Sequence, residues 1–180
     1  MDAKQVADFS QRTLQTVAEG GTAVTKVLYA CNLNLHEISN GSWGNDTWYD
    51  LPIFEDTIID QMVAEGYCSI STDQVELTVL QDIRIEFVYS IETQKTESNN
   101  RTESEVRVLH HTGGSYTELE DCTRKNYNRQ SNLGATEASN APRPLVMLTG
   151  EKLKIQFRKV RGSGRIGIQP RRASFYAKKI

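Results

Sequence analysis

LVMLTGEKLKIQFRKVRGSGRIGIQPRRASFYAKKI, residues 145–180, is the stretch that decides the fold. Leu153, Ile155 and Phe157 fall on one side of an extended chain, while Lys152, Lys154, Gln156 and Arg158 fall on the other. That period of two is the mark of a half-buried strand. Thr149-Gly150-Glu151 before it and Gly162-Ser163-Gly164 after it are turn chemistry. Glycine reaches positive φ without a Cβ clash, so the second triplet predicts a tight hairpin into residues 165–168. Pro170 offers no ladder donor and ends that run, and residues 173–180 interleave aromatic and charged side chains as a last strand. A chain that finishes inside a strand is expected to close a sheet.

Working backwards, Ile83, Ile85, Phe87, Tyr89 and Ile91 alternate with Arg84, Glu86, Val88 and Ser90 and form the clearest core strand. Val75, Leu77 and Val79 alternate in the same way, residues 25–35 are strand-like, and 48–59 read as an edge strand interrupted by Pro52. Residues 94–104 read as a hairpin tip, and 105–111 pair with 115–121 around Thr112-Gly113-Gly114. The polar run 123–143 predicts a long surface excursion that ends at Pro142 and Pro144. About nine or ten short strands with long loops imply an all-β, antiparallel sandwich or barrel.

Only the beginning reads as helix. Asp2 is placed to cap residues 3–19, Val6, Phe9, Leu14 and Val17 form a stripe, and Gly20-Gly21 stops it. A lone helix of about 17 residues is marginal in water, so the stripe needs cover. The chain's own sandwich, a bundle with sister copies, or a larger assembly would each supply it. The expected organisation is a helical arm over 1–22 and a sandwich domain over 23–180.

With 38% hydrophobic and 24% charged residues, the chain has the composition of an ordinary soluble domain. Its net charge of −2 conceals an asymmetry: residues 151–180 hold 10 Lys+Arg against 1 acid, and the rest hold 11 against 22. The basic end implies one of three things: a nucleic-acid surface, outward side chains paired with acidic neighbours, or complementarity between copies. Cys31, Cys68 and Cys122 are far apart with no metal-ligand spacing, so they are expected to be reduced and structural. No opening charged and apolar leader and no apolar run of about 20 residues is present, so synthesis in the cytosol is expected, without a membrane or secretory route. The three glycosylation sequons at Asn40, Asn45 and Asn100 are accordingly read as chance.

Catalysis finds no support in the residues. His110 and His111 are adjacent and point to opposite faces of a strand, and His36 is remote from both. Asp56 and Asp60 read as a solvated face rather than an acid/base pair. The run Arg161-Gly162-Ser163-Gly164-Arg165 lacks the strand-loop-helix setting of a phosphate cradle. No cofactor or metal is expected.

Phe87 and Tyr89 in one strand, then Leu148, Gly150, Glu151 and Leu153 across a turn, then Ser174-Phe175 opening the last strand, resemble the tumour-necrosis-factor and complement globular-head jelly roll. The resemblance covers about residues 47–180, and the last third carries most of it. It departs from the family at Gln81-Asp82, where a glycine is usual, and in the long polar run 123–143. Without a secretion signal, the closer resemblance is to phage and viral structural proteins that share this jelly roll behind a short arm. That implies a homotrimer with aromatics on its axis, for which Tyr89, Phe175 and Tyr176 are the candidates. The expected function is a non-enzymatic virion decoration (cement) protein that stabilises the head by bridging capsid subunits. Its partner would be the major capsid protein or other virion proteins, docked through Val6, Phe9, Leu14 and Val17, with no nucleic acid and no membrane. The alternative is the receptor-binding head of a short fibre, recognising host glycan or protein through Trp43, Trp48 and Tyr127.

Overall fold

The computed structural model describes residues 25–38, 46–95, 102–128, 135–162 and 165–180. The helical arm, with Val6, Phe9, Leu14 and Val17, lies outside the described residues, as does Trp43. In chain order the strands are β1 (Val27–Cys31), β2 (His36–Ile38), β3 (Tyr49–Asp50), β4 (Asp56–Asp60), β5 (Cys68–Ile70), β6 (Glu76–Val79), β7 (Ile83–Lys95) and β8 (Thr102–Thr112). They continue as β9 (Ser115–Glu118), β10 (Arg124–Asn128), β11 (Ala135–Ser139), β12 (Arg143–Met147), β13 (Lys152–Arg161), β14 (Ile166–Ile168) and β15 (Ala173–Lys179). A single helical turn, α1 (Gln61–Ala64), buries Met62, and a 3-10 turn precedes β10.

The strands form two antiparallel sheets that pack face to face, an all-β jelly-roll sandwich. In the first sheet β7 is flanked on one edge by β12 and β11 and on the other by β15 and β14, with β1 and β2 beyond them and β4 at the far edge. In the second, β8 carries β10 and β9 on one edge and β13 on the other, followed by β3 and β6 and then β5. The C-terminal strand does not close an edge. It runs through the middle of the first sheet, between β7 and β1.

Two expected hairpins are absent. β13 belongs to the second sheet and β14 to the first, so the glycine run after Arg161 carries the chain across the sandwich. Likewise β7 and β8, expected to share a hairpin tip, lie in opposite sheets. Period two fixes which side chains turn inward but says nothing about where the hydrogen-bonding partner lies. The hairpin that does form joins β8 to β9 through Gly113 and Gly114, both at positive φ (58° and 100°), as a two-residue turn of the primed kind demands.

Inward side chains of both sheets meet in one core. Ile83, Ile85, Phe87, Tyr89 and Ile91 of β7 face Leu153, Ile155 and Phe157 of β13, all at most 4% exposed. Here two of the three axis candidates are corrected. Phe175 is 1% exposed, stacks on Phe87 at 5.9 Å and meets Phe54 edge-on at 5.3 Å. Tyr89 is fully buried and its hydroxyl donates to the Cys122 carbonyl, while its amide is held by Asn140 Oδ1 at 2.7 Å. Side chains consumed inside one sandwich have no surface left for a neighbouring copy.

The described parts of the run 123–143 are likewise strands rather than a surface excursion. They supply β10 and β11, and Asn126 and Asn128 of β10 point into the sandwich. There they meet Thr93 and Thr136 of the first sheet, Asn126 Nδ2 to Thr93 Oγ1 at 3.2 Å and Thr136 Oγ1 to Asn128 Oδ1 at 2.7 Å. Asn126, Asn128 and Asn140 are buried, while Lys125, Glu137 and Ser139 stay exposed, so the segment is polar on both of its sides.

Candidate functional site

The side chains that alternate with the core make two contrasting outer surfaces. On the second sheet, β13 presents Lys152, Lys154, Gln156 and Arg158, and each finds an acidic or amide neighbour across the strands. Lys152 Nζ is 2.9 Å from Glu76, Lys154 is 3.1 Å from Asp50, and Gln156 Nε2 donates to Asp50 at 2.7 Å. Arg158 Nε donates to Glu105 at 2.8 Å, Arg161 to Glu103 at 2.6 Å, and Arg107 to Gln156 and Glu118. Tyr116 donates its hydroxyl to Glu76, and its ring lies 4.4 Å from Lys154 and 4.9 Å from His111.

The first sheet has basic residues too, and they are likewise engaged. Arg165 meets Glu37, Arg171 meets Asp56, Arg172 meets Glu92 and Lys178 meets Glu86 at 2.7 Å. Lys179 lies 4.0 Å from the Tyr67 ring, and on β13 of the second sheet Lys159 is turned into the interior. The charge asymmetry of the sequence is thus met inside the chain: acids from residues 1–150 pair with the basic end.

The outer face of the first sheet differs at its middle. The register sets Val88 beside Tyr176, Tyr176 beside Tyr29 and Tyr29 beside Ile59, one row across four strands. Val27, Tyr29 and Tyr176 form an apolar cluster with Ile59, separate from the sandwich core. Burial pushes both phenols to higher pKa; Glu86 adds to this at Tyr176, while Ser174 and Arg171 oppose it at Tyr29. The Tyr176 hydroxyl is buried without a hydrogen-bond partner. Exposed apolar side chains stand elsewhere on this face, two outward positions along β7 from Val88 and separated from it by the Glu86–Lys178 ion pair: Val146 opposite Arg84, Ile180 hydrogen-bonded to the Arg84 carbonyl, and Leu148 just past β12, at 64%, 49% and 54% exposure.

Of the three axis candidates only Tyr176 stands on this face. Phe175 and Tyr176 are neighbours in one strand and point to opposite sides, a constraint already present in the sequence. Val88, the one apolar residue on the polar side of β7, was the readable signal for the same face. Tyr29 had no such signal, because its place beside Tyr176 follows from register alone.

The other named residues are dispersed. His36 contacts Glu55 at 3.3 Å, His110 contacts Glu151 at 3.0 Å, and His111 is against Tyr116 on the opposite side of β8. Asp56 and Asp60 occupy the two ends of β4. Trp48, a candidate glycan contact, has the Arg107 and Arg158 guanidiniums 4.0 and 4.4 Å from its ring. Tyr127 lies on β10.

No family model matches the chain, and no curated protein matches it. Solved structures do. The tumour necrosis factor Eiger from S. frugiperda superposes with a TM-score of 0.55 at 12% identity, over 88% of this chain and 94% of that one. Murine APRIL superposes with a TM-score of 0.53 at 9% identity, over 87% and 100% of the two chains. At such identities the likeness speaks of architecture alone. This chain has the tumour-necrosis-factor-like jelly-roll fold.

Proposed function

We propose that the chain is the subunit of a homotrimeric, non-enzymatic virion decoration protein, in which three sandwiches meet through the outer face of the first sheet. The observation that carries this reading is the contrast between the two outer surfaces. One is a ladder of ion pairs suited to water, whereas the other, beside ion pairs of its own, exposes Val146, Leu148 and Ile180; Tyr29 and Tyr176 on that face are already covered within the single chain, at 4% and 8% exposure. Exposed apolar side chains on one face of a sheet are what an association surface requires. The arm stripe Val6, Phe9, Leu14 and Val17 is assigned to docking between capsid subunits. A trimer that bridges several subunits binds only the assembled shell and so stabilises it by linkage.

Glycan recognition is less favoured, because Trp48 already has two guanidiniums against its ring. The test uses particles assembled with and without this chain. A decoration protein is expected as a species near three times 20.3 kDa in solution, and its removal lowers the temperature at which particles release their contents. Unchanged particle heat stability together with binding on a glycan array would replace this reading with the receptor-binding one.

A further inference from the structure

The outward row Val88–Tyr176–Tyr29–Ile59 is covered by something its own strands do not supply. Leu28, Ala30, Phe175 and Ala177, the alternate residues of β1 and β15, belong to the sandwich core, so Val27, Tyr29 and Tyr176 point away from it and form a cluster of their own. Neighbouring strands lie about 4.8 Å to either side, which shields the flanks of a ring and leaves its top open. Val146 and Ile180, on the same face, are open in this way. Val27, Tyr29 and Tyr176 are not: all three are at most 8% exposed. Among the described residues, the partly buried hydrophobic side chain packed on the cluster is Ile59, which belongs to the row itself.

These exposures are those of a single chain, so the cover comes from that chain and not from a second copy. Residues 1–24 adjoin the row directly. The described chain starts at Thr25, just before Val27, and the Lys26 carbonyl accepts from the Lys179 amide at 2.8 Å. By contrast, the stretch that leaves β7 after Lys95 begins seven positions along that strand from Val88. The Tyr176 hydroxyl indicates the chemistry of the cover. It is buried with no hydrogen-bond partner, whereas water or a polar layer would supply one. An apolar layer leaves a phenol in that state, and Val6, Phe9, Leu14 and Val17 offer one. As the helix expected from the sequence, the stripe from Val6 to Val17 is about 17 Å long. Three strand spacings, from β7 to β4, make the row about 14 Å long.

We propose that the Val88–Tyr176–Tyr29–Ile59 row is the seat of the chain's own residues 1–24, which lay the Val6, Phe9, Leu14 and Val17 stripe across it in the free protein. The exposed Val146, Leu148 and Ile180 lie outside this row. An arm that also docks on a shell, as proposed above, must first leave the seat, but the seat itself does not rest on that reading.

The experiment is nitration of the full chain with tetranitromethane, read tyrosine by tyrosine by mass spectrometry, with the core residue Tyr89 as the control for folding. In the unaltered chain Tyr29 and Tyr176 are expected to resist the reagent as Tyr89 does, at every protein concentration. Phe9→Asp combined with Leu14→Asp is expected to lift the arm and raise nitration of Tyr29 and Tyr176 by about tenfold or more, with Tyr89 still protected. Tyr29 and Tyr176 that react in the unaltered chain, or stay protected in the double variant, overturn the seat. Protection that appears only as concentration rises overturns it too and assigns the row to a second copy. If the double variant unfolds, shown by nitration of Tyr89, Tyr176→Phe decides. Removing an unpartnered hydroxyl from beneath an apolar layer should tighten the seat and slow tryptic cleavage after Arg12 by about fivefold or more. Cleavage as fast as in the unaltered chain overturns the proposal equally.

Discussion

On the second sheet the side chains that turn away from the core are Lys152, Lys154, Gln156 and Arg158, bonded to Glu76, Asp50 and Glu105. On the first sheet the outward positions include Val88, Tyr176 and Tyr29 beside the paired Glu86 and Lys178, with the exposed Val146 and Ile180 flanking Arg84. Both faces belong to strands that bury equally apolar residues on their inner side. The difference therefore lies in what each outer surface meets. Cross-strand ion pairs in water are each worth about 0.2–1 kcal/mol, enough to hold register and keep the face solvated. Tyr29 and Tyr176 are already covered within one chain, so the side chains that gain from a neighbour are the exposed Val146, Leu148 and Ile180. The same alternation thus serves solubility on one side and, in our reading, association on the other.

The comparison is broken most severely from inside. Phe175→Ala removes the ring between Phe87 and Phe54 and is expected to cost about 3–5 kcal/mol in denaturant unfolding. Two strands away on the outer side, Val146→Glu changes an exposed residue, so chain stability should stay within about 0.5 kcal/mol. Its expected effect is on native mass, which should fall from the three-chain species to one of 20.3 kDa. A Val146→Glu chain that keeps the larger mass would remove this rim from the association surface.

The ladder sharpens the comparison by its pH dependence. Burial alone would raise the Glu76 carboxyl, but the hydrogen bonds from Tyr116 and Lys152 outweigh it and hold the pKa below the ordinary value. A depressed carboxylate stabilises the fold above its unfolded pKa of about 4.3 and loses that contribution as pH falls through the folded value. Glu76→Gln should therefore cost about 1 kcal/mol at neutral pH. That deficit should shrink as both chains are titrated below about pH 4 and followed by denaturation. A deficit that is the same at both ends of the titration would assign Glu76 a packing role instead.

Much of the sandwich was legible. The inward sets of β7 and β13 and the glycine turn between β8 and β9 follow from period two and from positive φ, both properties of the chain over a few residues. Of the candidate face, Tyr176 and Val88 were readable in the same way. Tyr89 and Phe175 misled because an aromatic in a strand carries the same signal whether it meets its own core or another copy. The polar run 123–143 misled because strands that bury asparagines and expose polar residues have the composition of a loop.

By itself the sequence determined that the chain is built of short antiparallel strands with one apolar side each, since that depends only on where Cβ atoms point along an extended backbone. The tertiary structure alone decided which strands are neighbours: that β15 runs through the centre of its sheet, that β13 and β14 part into different sheets, and that Tyr29 stands beside Tyr176. It also decided that the basic end is neutralised by acids distant in sequence. Pairing across sheets joins residues more than a hundred positions apart, and no local pattern encodes a contact whose partner is chosen by how the whole chain closes.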